Sequence, residues 1–140
     1  MLLTQNHQDK GDAPVVINIH NETLYNNNFR TTLWTGKYLQ LTVMSIPVGG
    51  EIGLEIHEHL DQFIRVESGC GKIFMGKNKK DVRFFGTINP DYAVIIPAGT
   101  WHNLLNTGNQ ALKVYSIYAP TQHPFGTIHK TKLDADLSED

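Results

Sequence analysis

The sequence predicts an all-β fold, and three observations point to it. Short runs rich in Val, Ile, Thr and aromatic residues recur along the chain, separated by Gly, Pro and Asn breaks. Helical periodicity over ten residues is absent until the final tail. A chain of 140 residues is also long enough to bury one core without disulfide or metal staples, so a single domain is expected. A closed barrel or a double-sheet jelly roll is the natural architecture, because either limits exposed strand edges.

Taken in order, residues 1–14 are polar and carry Gly11 and Asp12, which reads as a flexible N-terminal arm. Residues 15–19 form a β-branched first strand, and the Asn-rich residues 21–28 a loop. Residues 29–34 and 38–46 are strands around the hairpin-sized break Thr35-Gly36-Lys37. On the second of these, Leu39, Leu41 and Val43 share one face and Gln40, Thr42, Met44 and Ile46 the other, so both faces carry apolar residues. Pro47-Val48-Gly49-Gly50 turns into a strand at 51–59, where Gly53, Glu55, His57 and His59 point one way and Ile52, Leu54 and Ile56 the other. That apolar face requires cover from another sheet, the N-terminal segment or a second subunit. Strands follow at 62–67, 72–75, 82–85, 93–96, 101–105 and 111–118, the last entered through the turn Asn106-Thr107-Gly108-Asn109. Residues 15–120 make the barrel, and 121–140 a C-terminal tail with a short helix at 132–139.

Composition narrows the function classes. With 40% hydrophobic and 19% charged residues and a net charge of −2, the chain offers no electrostatic footprint for nucleic acid. The run Lys77-Asn78-Lys79-Lys80 is short, is followed by Asp81 and reads as a solvated turn. Residues 1–14 hold no signal-peptide core and no run approaches about 18 apolar residues, so a membrane partner is not expected and the cytoplasm is the default location. The single cysteine, Cys70, rules out an intrachain disulfide framework.

His57 and His59, two apart in an alternating run, should present both rings on one face, which makes half a metal site. His102, in Pro97-Ala-Gly99-Thr-Trp-His102, is the candidate for the other half. Neutral imidazoles suit first-row divalent metals, and rigid strands fix their positions. Glu55 shares the histidine face as a candidate acid or base, or else is a hydrated carboxylate at the barrel mouth. Gln40, Thr42 and Met44 are candidate pocket residues from the neighbouring strand, and Tyr115 or Tyr118 a candidate phenol, with core packing as the plainer role for an aromatic. Arg30 and Arg65 are candidate anchors for an anionic substrate, against ordinary surface salt bridging. His123 and His129 lie in the tail, either exposed or folded over the cavity.

These two stretches resemble the paired motifs of the cupin superfamily. The first motif is a glycine-rich approach, His-x-His, three or four residues, Glu, six residues and Gly; the second includes Pro-x-Gly, two residues, His, three residues and Asn. Pro97, Gly99, His102 and Asn106 fit the second motif, with Asp91 where a leading Gly stands. His57, His59 and Gly69 fit the first, but counting back from Gly69 lands on Gln62 in place of Glu, one residue nearer to His59 than the family spacing. Either a bulge near Leu60 turns Gln62 inward, with Ile64 and Val66 facing the core, or Asp61 points inward; the first keeps Ile64 and Val66 in the core. The resemblance covers roughly residues 38–118 and is nearest to small single-domain cupins described as mannose-6-phosphate-isomerase-like.

It implies a cupin-type jelly-roll β-barrel, commonly a homodimer, holding one divalent transition metal (Zn, Fe, Mn or Ni) on His57, His59, His102 and Gln62. Such a donor set, three imidazoles and an amide, would be neutral. The function it implies is a metal-binding protein acting on a small polar metabolite, a sugar or organic acid, inside the barrel. Isomerase, lyase and dioxygenase chemistry stay open, with a slight lean to isomerase, and the alternative is a non-catalytic sugar-binding barrel.

Overall fold

Two antiparallel sheets face each other in a jelly roll, seen in a computed structural model that describes residues 8–138. Strands β1 (Arg30–Thr35), β2 (Gln40–Ile46), β3 (Asp61–Ser68), β6 (Ala93–Ile96), β8 (Leu112–Ala119) and β9 (Ile128–His129) form a six-stranded sheet in the order β6-β3-β8-β2-β1-β9. Strands β4 (Gly71–Gly76), β5 (Arg83–Ile88) and β7 (Trp101–Asn106) form the smaller sheet in the order β5-β4-β7. The expected strands from residue 29 onward are present, with the exception of 51–59, and the tail carries helix α2 (Lys132–Ser138).

Register decides what faces the interior. Across the large sheet, Ile96, Gln62, Tyr118 and Gln40 stand in one row, Val94, Ile64, Ser116, Thr42 and Thr32 in the next, and Val66, Val114, Met44, Arg30 and His129 in a third. Side chains in one such row share a face. The interior is therefore divided. One end is an apolar core of Met44, Ile46, Ile64, Val66, Leu104, Leu112 and Val114, and the other end is lined by buried polar groups. Burying hydroxyls, amides and imidazoles costs free energy unless they find partners, so the polar end is where a function belongs.

Two expectations are corrected here. Residues 15–19 are not a strand: Asn18 caps helix α1 (Ile19–Tyr25) by accepting from the Asn21 amide, and the helix runs into the segment read as a loop. With Ile17, the helix covers the outer apolar face of the large sheet around Leu33, Val43 and Tyr115. Residues 51–59 are not a continuous strand either, and only Glu51 and Glu55 make bridges, to Leu105 and His102. Gly53 between them sits at φ +104°, a left-handed conformation that breaks the extended backbone.

The part of the expected arm that is described, 8–14, is docked. Lys10 donates its amide to Leu33, and the Trp34 indole donates to the Ala13 carbonyl. Asp9 is buried and accepts from the Gly11 and Gly126 amides and the Thr35 hydroxyl. The remainder of that arm, 1–7, lies outside the described residues.

Candidate metal centre

The two motifs are joined by backbone hydrogen bonds. Glu55 and His102 exchange both amide bonds, at 3.0 and 2.9 Å, and Gly99 donates its amide to the His57 carbonyl at 2.8 Å. Residues that form such a reciprocal pair lie directly opposite, with side chains on one face. Gly99 makes its contact at φ +79°, which explains a glycine in the turn before β7.

Glu55, His57 and His102 thereby converge, with one ligand-type atom from each within 4.8 Å of the others. Glu55 Oε1 lies 3.4 Å from Nε2 of both His57 and His102. The His57 and His102 side chains are 8% and 1% exposed, and their ring centroids stand 5.3 Å apart.

The tautomer of His102 is set by its neighbour. Its Nδ1 lies 2.9 Å from the Thr100 carbonyl, which can only accept, so Nδ1 carries the proton and the neutral ring turns an Nε2 lone pair toward Glu55. A lone pair facing a carboxylate oxygen at 3.4 Å is repulsive unless a cation lies between them. Neither His57 Nε2 nor His102 Nε2 has a hydrogen bond, although both are buried. This donor set, two imidazole nitrogens and a carboxylate oxygen, fits a divalent transition metal, or protons in its place. Burial acts to raise the Glu55 pKa, but when protons occupy both Nε2 positions, the hydrogen bonds and charge of His102 and His57 outweigh it and hold the carboxyl well below its ordinary range.

The remaining candidates divide. His59, expected as a ligand, is exposed and outside the cluster; with His57, Pro120 and Gln122 it lines an opening of about 370 Å³. The donor set among the described residues is therefore not neutral, because Glu55 contributes a carboxylate. Gln62 is buried, with Nε2 donating to Ser116 Oγ at 3.3 Å and Oε1 left without a partner. Asp61 is exposed and accepts from the Ala98 amide.

Tyr118 is 1% exposed and stands edge-on to His57 at 5.9 Å and to His123 at 5.3 Å. Thr42 and Met44 face the same interior, and the Thr42 hydroxyl has no hydrogen-bond partner. Gln40 is a clamp and not a free pocket wall: it donates to Thr35 Oγ1 and the His123 carbonyl and accepts from the Gln122 and His123 amides. Arg65 faces outward, paired with Asp91 at 2.8 Å and Glu67 at 3.2 Å. His123 and His129 are both buried, brought in by the folded tail.

The ligand register was available in the spacing. Six residues lie between Gln62 and Gly69, four between His57 and Gln62, and one between Glu55 and His57, so the family pattern is kept if it reads Glu55-x-His57 in place of His57-x-His59.

The chain is 55% identical over 133 residues to the uncharacterized protein YrkC of Bacillus subtilis (strain 168), covering 95% of this chain and 72% of YrkC. It is 40% identical over 114 residues to the uncharacterized protein L612 of Acanthamoeba polyphaga mimivirus, covering 81% and 69%. The crystal structure of BH2720 from Bacillus halodurans superposes with a TM-score of 0.92 at 57% identity, over 93% of this chain and 98% of that one. The model of the cupin domain matches residues 42–118, a span that holds Glu55, His57, Gln62 and His102 together, and the chain belongs to the cupin family.

Proposed function

We propose that this cupin binds one divalent transition metal on Glu55, His57 and His102, with the Gln62 amide oxygen as a further ligand, and acts on a small polar metabolite inside the barrel. The observation that carries the reading is the pair of buried, unbonded imidazole nitrogens facing one carboxylate oxygen at 3.4 Å. When bound there, such a metal supplies a Lewis acid. The protein's own part is to hold the ligands: Thr100 fixes the His102 tautomer, and Ser116 takes one N–H of Gln62, leaving its oxygen free. The Tyr118 ring walls His57 from the large sheet.

Isomerase, lyase and dioxygenase chemistry all suit such a centre, and fold alone does not choose among them. A sugar or organic acid fits the polar end of the interior. Metal analysis of protein purified without an affinity tag should find close to one equivalent of Zn, Fe, Mn or Ni, lost in His102→Ala and in Glu55→Ala. Metal-free wild type that takes up none of these ions would refute the reading and leave a metal-independent binding barrel.

A homodimer belongs to the same proposal. Phe84, Phe85 and Ile95 are 54%, 64% and 61% exposed on β5 and β6, which end the two sheets. Sedimentation should give twice the 15.8 kDa chain mass, reduced toward the monomer by Phe85→Glu. No helix among the described residues is long and apolar enough to cross a membrane.

A further inference from the structure

Arg30 is the only buried Lys or Arg among the described residues, at 4% exposure. It points inward from β1 beside Met44 and His129. Nη1 lies 3.0 Å from His129 Nδ1, Nη2 lies 4.0 Å from Met44 Sδ, and the guanidinium carbon sits 5.3 Å over the Phe29 ring. Nε has no hydrogen-bond partner, and no carboxylate of the described residues pairs with the group. A thioether is a weak acceptor, and a guanidinium cannot shed its proton to escape burial. The charge is therefore kept in the interior with Nε unanswered and one terminal nitrogen facing only a thioether, an arrangement that costs stability unless something else answers them.

Its surroundings are those of a binding site. The Thr42 hydroxyl is buried, and the Tyr118 hydroxyl is close enough to Thr42 and Arg30 to interact with both. Tyr118 in turn stands against His57, so the same interior connects Arg30 to the candidate metal centre.

We propose that Arg30, with the hydroxyls of Tyr118 and Thr42, is an anion-binding subsite inside the barrel and that its ligand is a small monocarboxylate. The proposal rests on the reading that the barrel interior receives the ligand. The planar guanidinium matches a carboxylate donor for acceptor. One buried cation balances one negative charge, and because Glu55 already places a carboxylate in this interior, a phosphate dianion would leave charge uncompensated.

The test is calorimetric titration of the full chain, stripped of metal, with sodium glycolate, its neutral amide glycolamide and inorganic phosphate, at ionic strength matched with chloride. Saturable binding of glycolate, and not of glycolamide, is expected. Arg30→Met should weaken it by about tenfold or more, since a buried charge partner is removed. The ligand-free Arg30→Met chain should also melt higher than wild type, because an apolar side chain replaces an unpaired buried cation, which a purely structural arginine would not show. Should that variant not fold, Arg30→Lys keeps the charge without the fork and should still bind glycolate several-fold more weakly.

No saturable glycolate binding, or binding untouched by the Arg30 variants, overturns the inference, and tighter phosphate than glycolate overturns the carboxylate class. A parallel titration with one equivalent of Zn(II) separates the two readings. Glycolate that binds only with the metal, and regardless of Arg30, sits on the metal and refutes the subsite. Glycolate that binds a chain unable to retain any metal leaves the subsite standing while the metal centre falls.

Discussion

Gln62 stands where the family spacing puts a carboxylate, and Glu55 stands where it puts a histidine, so the negative charge of the centre has moved without being lost. Gln62→Glu would set a second carboxylate into the interior. Metal affinity should rise by about tenfold, equivalent to about 1.4 kcal/mol, while the metal-free chain should melt lower because two buried carboxylates repel. Equal affinities by competition with a chelating dye would remove Gln62 from the ligand set. A second carboxylate has a purely structural task. Burial acts to raise the Asp9 pKa, but bonds from Thr35, Gly11 and Gly126 outweigh it and lower the pKa below its ordinary value. A depressed folded-state pKa contributes stability above the unfolded value of about 3.9, lost as pH falls through the depressed one. Asp9→Asn should cost about 1–2 kcal/mol at pH 7 in urea unfolding, and the gap to wild type should close below about pH 4; a gap independent of pH would show that the charge is irrelevant. The convergence of His57 with His102 and the inward turn of Gln62 were legible from motif spacing, but the position of His59 outside the cluster was not, because Glu55, His57 and His59 alternate identically in sequence. Only the break at Gly53 and the Glu55–His102 bridge decide which pair turns inward.

Among the elements, the tail is clamped by Gln40 more than by any other single side chain, with Asp9 and Thr32 adding one bond each. All four of Gln40's hydrogen bonds go to Thr35 and to residues 122–123, and β9 then pairs with β1 through Arg30 and His129. Gln40→Ala would strand buried backbone donors and an acceptor, each worth about 1–3 kcal/mol when unsatisfied. A loss of about 3 kcal/mol is expected, together with faster proteolysis within 120–131, as read by limited digestion and mass spectrometry. Unchanged cleavage would mean that the β1–β9 pairing suffices. The strands from β1 to β8 were legible because β-branched runs and turn residues agree there, which is the condition for a local reading to succeed. Helix α1 was not. Seven residues give fewer than two full turns of periodicity, and its β-branched entry, Val15-Val16-Ile17, imitates a strand; the Asn18 cap was the one local signal.

For the molecule as a whole, the apolar half of the barrel holds the core and the polar half the candidate metal centre, and the two meet along Ile64, Ser116 and Thr42. Alternation along single strands cannot show this division. It depends on register between strands far apart in sequence, which places Gln62 beside Tyr118 and Ile96. A centre that gathers a carboxylate oxygen and two unbonded imidazole nitrogens should make the folded state gain when a cation binds among them. By linkage, an ion that binds only the folded chain adds about 2.7 kcal/mol at one hundred times its dissociation constant. For a domain of this size each kcal/mol moves the melting temperature by roughly 3 °C, so a rise of about 8 °C is expected when stripped protein is loaded with its preferred ion. His102→Ala removes one ligand and should abolish most of the rise, while a surface change such as Arg83→Ala should leave it intact. A rise of equal size in His102→Ala would place the stabilising ion elsewhere on the chain and separate the buried cluster from metal binding altogether.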